Sequence, residues 1–94
     1  MAKVINQGDL GVSTAGRDKG KSFLVISASD KIAYVVDGRE RKTINPKKKN
    51  VKHLEKISNA SIIELAEKIN NGVLVGNERV YRAVRAEKQK IQED

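Results

Sequence analysis

The run Phe23-Leu24-Val25-Ile26 limits the chain more than any other stretch. Its β-branched and aromatic residues read as a strand, and strand side chains alternate between two faces. Since every position is apolar, both faces need burial, which predicts a central strand spanning about Phe23 to Ser27. Other short strand signals surround it. Leu10 to Thr14 precedes it after a Gly8-Asp9 turn, with Leu10 and Val12 on one face. Ser29-Asp30-Lys31 is a polar turn into Ile32-Ala33-Tyr34-Val35-Val36, a third strand. Asp37-Gly38 reads as a type I′ hairpin turn leading to a charged fourth strand, Arg39 to Ile44. Asn45-Pro46 ends that strand, the run Lys47-Lys48-Lys49-Asn50 follows, and Val51 to Ile57 offers a fifth. Five short strands joined by tight turns predict a small antiparallel β-barrel over residues 1–57, which hides its edges by closing them.

Residues 58–94 follow a different period. Ser58-Asn59-Ala60 is a polar linker, and Ser61 with Glu64 makes a capping box. Ile62, Leu65, Ala66 and Ile69 then share one helical face, Glu64 and Lys68 form an i,i+4 pair, and Asn71-Gly72 stops the helix. After the apolar connector Val73-Leu74-Val75, Asn77 is placed to cap a second helix. The two helices are expected over about 61–71 and 77–92, with Val80, Ala83 and Val84 as a thin apolar stripe on the second. On this division the barrel is expected to fold alone, so that a fragment ending at Ser58 keeps its structure.

Charge separates the two segments as clearly. Residues 1–57 hold 13 Lys and Arg against 6 Asp and Glu, whereas 58–94 hold 6 of each. The whole net charge of +7 therefore belongs to the N-terminal unit, the pattern of a polyanion-binding face. Cysteine is absent, which excludes disulfides and thiolate metal sites. With neither an apolar leader nor a run of membrane-spanning length, the chain is expected to be soluble and cytoplasmic.

The basic excess peaks between the first two strands, in Gly16-Arg17-Asp18-Lys19-Gly20-Lys21-Ser22. Such a loop can meet phosphate with backbone N–H groups and with cationic side chains. Two partners fit: RNA, or a nucleotide in a loosened Walker A loop over Ala15 to Ser22. The nucleotide reading fails on context, because a P-loop opens a helix that holds the phosphates, and Lys21-Ser22 runs into a strand. No cofactor and no small-molecule substrate is expected.

Gly11-Val12-Ser13, Gly16 to Lys21 and Phe23 to Ile26 together resemble the KOW motif of ribosomal proteins and transcription elongation factors. The longer run through Ile32 to Gly38 and Val51 to Ile57 is similar to a KOW-containing large-subunit ribosomal protein family of archaea and eukaryotes. Taken whole, the chain looks like the short bacterial KOW-domain RNA-binding proteins. The resemblance implies an SH3-like β-barrel that binds RNA, usually structured ribosomal RNA, through inter-strand loops. It carries binding roles onto Arg17, Lys19 and Lys21, with Gly16 and Gly20 shaping the loop.

Local charge adds Arg39, Arg41 and Lys42 after the Asp37-Gly38 turn, and Lys47, Lys48 and Lys49. Loops after the first and third strands leave a barrel at one end, whereas the lysine run is expected at the other. Only three aromatics exist, and Phe23 and Tyr34 sit in apolar runs that read as core. Phosphate and shape recognition therefore fits better than a base code. Catalysis and metal binding are not expected: His53 has no partner histidine or cysteine and no nucleophile arrangement beside it. The alternative is a KOW-type adaptor of the transcription or translation machinery, docking a protein through the apolar stripe of its helical tail.

Overall fold

Alternation along β2 (Ser22–Ala28) sends Phe23 and Val25 to one face and Leu24 and Ile26 to the other, and all four are buried. The computed structural model, which describes residues 5–58 and 62–92, puts this strand at the centre of a five-stranded antiparallel sheet. Its companions are β1 (Leu10–Ser13), β3 (Ile32–Val36), β4 (Lys47–Asn50) and β5 (Leu54–Ser58), in the order β4-β3-β2-β1-β5. Two helices follow, α1 (Ile63–Asn70) and α2 (Asn77–Gln92).

The two faces are covered in different ways. On one, Phe23, Val25, Ala33 and Val35 close over Ile5, Val51 and Leu54. That closure is possible because the sheet curls. A single 3-10 turn, Val51–His53, leads from the end of β4 that pairs with Ile32 to the end of β5 that pairs with Ser13. Three residues reach only about 10 Å, so the two edges meet at that corner. β4 and β5 do not pair with each other, and the sheet stays open.

The other face needs the helices. Leu10, Leu24, Ile26 and Val36 form one core with Leu65, Ala66 and Ile69 of α1 and with Val80 and Val84 of α2. The apolar stripe expected on the first helix is thus spent on the sheet, with Ile62 packed beside it. Glu64 and Lys68 lie 3.5 Å apart as the i,i+4 pair, and Gly72 ends the helix with φ 81°. Ser61, the other half of the capping box, lies outside the described residues.

Two glycines set how closely the helices approach. A Cβ on Gly38, whose φ is 80°, would stand 2.2 Å from the Asn77 carbonyl oxygen, so the first turn of α2 rests directly on the backbone there. Gly8 does the same for α1, where a Cβ would come within 2.6 Å of the Ile63 Cα.

Several expectations change. No strand forms over Arg39 to Ile44: residues 37–46 are one long loop, and the fourth strand is the lysine run itself. The cause is Asp37, whose Oδ1 accepts from the Arg39 and Arg41 N–H groups while the Arg41 carbonyl accepts from Asp37 and Gly38. This side-chain-organised turn competes with a two-residue hairpin and wins. The fifth strand is shortened at its start by the 3-10 turn, capped by Asn50 Oδ1 accepting from Lys52 N–H. Asn77 does not cap its own helix, because its Oδ1 accepts from the Thr43 N–H at 2.9 Å. Tyr34 is not core: it shares the face of Val36, but the helices do not reach it, and it is 42% exposed.

Removing residues 59–94 would bare Leu10, Leu24, Ile26 and Val36, each worth about 1.5–3 kcal/mol when buried. The total rivals the stability of a small domain, about 5–15 kcal/mol. A fragment ending at Ser58 should therefore lose its cooperative thermal transition by circular dichroism, where the full chain keeps one. The close approach of α2 gives a second test. Gly38→Ala meets both positive φ and the α2 backbone, whereas Gly16→Ala meets positive φ in open space. Chemical denaturation should show a cost of about 1 kcal/mol for Gly16→Ala and a clearly larger one for Gly38→Ala.

Candidate nucleic-acid interface

The loop 14–21 holds its shape through its own backbone. Gly20 N–H donates to the Ser13 carbonyl at 2.8 Å, Lys21 N–H to Asp18 at 2.9 Å and Lys19 N–H to Gly16 at 3.2 Å. Gly16 and Gly20, at φ 78° and 88°, allow these tight turns. The N–H groups of Lys19, Gly20 and Lys21 are therefore turned inward, so the loop offers side chains at its surface and not a cradle of those amides. Lys21-Ser22 enters β2 directly, with no helix at that point.

The loop is anchored by Asp18, whose carboxylate is almost fully buried. Lys47 Nζ donates to Asp18 Oδ2, and Lys49 Nζ lies 3.8 Å from the same oxygen and 3.4 Å from the Ala15 carbonyl. The hydrogen bond from Lys47 outweighs desolvation and holds the Asp18 carboxyl below the usual aspartate value, with Lys49 and Arg41 acting in the same direction. Burial pushes the Lys49 ammonium below the ordinary lysine range, and repulsion from Lys47 and Arg41 adds to it. Two lysines thus meet on one carboxylate, and Arg41 adds to the positive field around it.

This arrangement corrects the expected position of the lysine run. Lys47 opposes Val35 at the β3 end from which residues 37–46 leave, so the run begins at the same end as the glycine loop. It is also divided. Lys47 and Lys49 oppose Val35 and Ala33 and share their face, whereas Lys48 opposes Tyr34 and is exposed on the other side. Tyr34 and Lys48 border a shallow depression there with Ile32 and Ser27.

The remaining candidates separate by partner. Lys21 Nζ is hydrogen-bonded to Glu40 Oε1, which raises the lysine above its ordinary value and ties the glycine loop to the 37–46 loop. Arg39 lies 3.5 Å from Glu78 and 3.9 Å from the centroid of the Tyr81 ring, so it braces α2. Arg41 is half-buried, and its Nε has no hydrogen-bond partner among the described residues. Arg17, Lys19 and Lys42 are exposed, and none of them forms an ion pair among the described residues.

α2 brings further cations to this rim. Arg85 and Lys88 line a cleft of about 470 Å³ with Tyr81 and Val84 on the helix side and Gly20, Lys21 and Asp37 opposite. Neutrality of the segment 58–94 hides them, because α2 alone holds five basic residues against two acidic ones. Counting charge per element, and noting Tyr81, Arg85 and Lys88 at i, i+4 and i+7, would have found this face.

Fold and site define a class: a small, mostly β protein with an open five-stranded antiparallel sheet, two helices on one face and a cation-rich rim. The chain matches no family model and no curated protein. Among the described residues no helix is long and apolar enough to cross a membrane, and no group of three His, Asp or Glu side chains is placed to hold a metal.

Loss of Asp18 should be costly, because Asp18→Asn leaves Lys47 and Lys49 facing each other without a counter-charge. Denaturation at neutral pH should show a loss of about 1–3 kcal/mol. The pH dependence has a definite sign. A carboxylate whose folded pKa is lowered contributes fully above its unfolded value of 3.8, and that contribution is lost as pH falls through the folded value. Stability of the two proteins, measured by urea titration across acid pH, should differ by a constant amount above about pH 5 and converge below the ordinary aspartate pKa.

Proposed function

We propose that the chain is a non-catalytic RNA-binding protein of KOW type, its curled sheet an SH3-like barrel. It contacts structured RNA, ribosomal RNA first, as a cytoplasmic ribosome-associated or ribosomal component. The reading rests chiefly on Lys47 and Lys49 meeting on the single Asp18 carboxylate, beside exposed Arg17 and Lys19, which form no ion pair among the described residues. This rim carries more positive charge than its own carboxylates neutralise. A phosphate approaching it relieves the mutual repulsion and releases counterions, which is the driving force for RNA backbone binding. Because the loop backbone is tied by its own hydrogen bonds, the positions that carry Arg17 and Lys19 are set before RNA arrives, and less backbone ordering entropy is lost on binding.

Roles within the rim differ. Arg17 and Lys19, with Lys42, meet phosphates directly. Lys47 and Lys49 set the local potential and hold Asp18, so their removal acts on loop position as well as on charge. Gly16 and Gly20 shape the loop, Lys21 and Arg39 tie neighbouring elements, and Lys48 lies on a separate face beside exposed Tyr34. A second reading, the protein-binding adaptor, is favoured by one observation. Ile44 and Leu74 are 82% and 91% exposed, on segments joined where the Thr43 hydroxyl donates to the Val75 carbonyl. A partner there would bury apolar surface.

The readings differ in salt dependence. Arg17→Ala/Lys19→Ala should keep the wild-type circular dichroism and weaken binding of a ribosomal RNA fragment alike across sequences. It should also lower the magnitude of the log affinity versus log salt slope by roughly 0.7–0.9 per lost contact. Unchanged affinity and slope would remove the loop from the interface, whereas a shallow slope already in the wild-type protein would favour the apolar patch as the docking surface.

A further inference from the structure

The cleft between the glycine loop and α2 is a separate feature from the exposed loop tip. Its floor and walls are mixed: Tyr81 and Val84 supply apolar surface, and Lys21, Arg85 and Lys88 supply charge. Lys21 is engaged by Glu40, but Arg85 and Lys88 form no ion pair among the described residues. The carboxylate in the lining is Asp37, whose Oδ1 is already bonded to two backbone N–H groups of its own turn. Two cations without an ion pair among the described residues therefore stand beside apolar surface on the same face of α2, across the cleft from the glycine loop, which suits a group with an anionic end and a flat, weakly polar body.

Size narrows the ligand. About 470 Å³ lies within the range of small-molecule pockets, about 300–1,000 Å³, and cannot admit a duplex. One nucleotide fits. The Arg39 guanidinium lies 3.9 Å from the centroid of the Tyr81 ring and 3.5 Å from Glu78, so one face of the ring is covered and the other is left for a ligand. A ring beside cations is the combination used to hold single-stranded nucleotides, the ring taking the base and the cations the phosphate. Gly20 and Lys21 of the glycine loop line the cleft themselves, so it adjoins the segment that carries Arg17 and Lys19.

We propose that this cleft receives one unpaired nucleotide of a bound RNA, with Arg85 and Lys88 on its phosphate and Tyr81 and Val84 against its base. The inference rests on the RNA-binding reading and adds what that reading lacks, a preference for RNA with a bulged or looped-out residue over a plain duplex. α2 then has two duties, closing the hydrophobic core with Val80 and Val84 and completing the RNA surface with the face that carries Arg85 and Lys88.

The test uses the full-length protein and two RNA hairpins of equal length, one fully paired and one with a single bulged nucleotide. Wild-type protein should bind the bulged hairpin about five-fold or more tightly. Arg85→Ala/Lys88→Ala, with circular dichroism unchanged, should bind both hairpins equally, whereas Arg17→Ala/Lys19→Ala should weaken both and keep the preference. Equal wild-type affinities, or a preference that survives in the α2 variant, would overturn the cleft as a nucleotide site while a salt-dependent loss in the loop variant still upheld RNA binding. Competition by free uridine monophosphate at the concentration of the RNA would also overturn it, assigning the cleft to a soluble nucleotide. Absence of salt-dependent binding to either hairpin would sink the RNA reading and this inference with it.

Discussion

Burial of β2 on both faces is the constraint from which the rest of the architecture follows. A strand with Phe23 and Val25 on one side and Leu24 and Ile26 on the other has no face to give to water. One cover comes from within the sheet, which curls until Val51 and Leu54 close over Phe23. The second has to come from elsewhere, and α1 and α2 provide it. For so short a chain this is an efficient use of apolar residues, since a small domain buries less surface per residue and cannot spare a separate core for a helical appendage. Division of the chain at residue 57 by composition and period is real in sequence, but the hydrophobic core crosses it.

Electrostatics follows the same economy. Asp18 is a buried acceptor that fixes the glycine loop to β4, and the cations that satisfy it also produce the positive excess at the rim. A buried carboxylate surrounded by lysines is weak evidence for stability by itself, because desolvation offsets much of the attraction. Its value here is positional: the loop bearing Arg17 and Lys19 is held in one orientation against the sheet. Arg39 works similarly at the other loop, where its contacts to Glu78 and Tyr81 seat α2. Of the basic residues that look equivalent in the sequence, some hold the scaffold and others are exposed with no ion pair among the described residues.

Several details escaped sequence reasoning for identifiable reasons. Asp37-Gly38 carries the signature of a tight hairpin, but the same aspartate side chain can organise a wider turn, and the seat it forms for Asn77 and Tyr81 favours the wider one. Lys47-Lys48-Lys49 has no apolar alternation, so nothing marks it as a strand; pairing with Ile32 to Val35 decides it. Tyr34 sits in an apolar run and still reaches solvent, since its exposure depends on how far the helices extend over the sheet. Asn77 has the chemistry of a helix cap, yet the Thr43 N–H competes for its oxygen.

The sequence by itself determined the local features, each of which depends on neighbours along the chain. These are the doubly buried central strand, the glycine loop and its charge, the third strand at Ile32 to Val36, the apolar faces of both helices and the stop at Gly72. Tertiary structure alone decided which surfaces those elements share. It placed the α1 stripe on the sheet, brought Lys47 and Lys49 under Asp18, set α2 against Gly38, and put Arg85 and Lys88 across a cleft from the glycine loop. The physical reason is range. Turn chemistry and side-chain period act over a few residues, whereas core closure and charge compensation join positions 29 to more than 60 residues apart, where spacing along the chain carries no information.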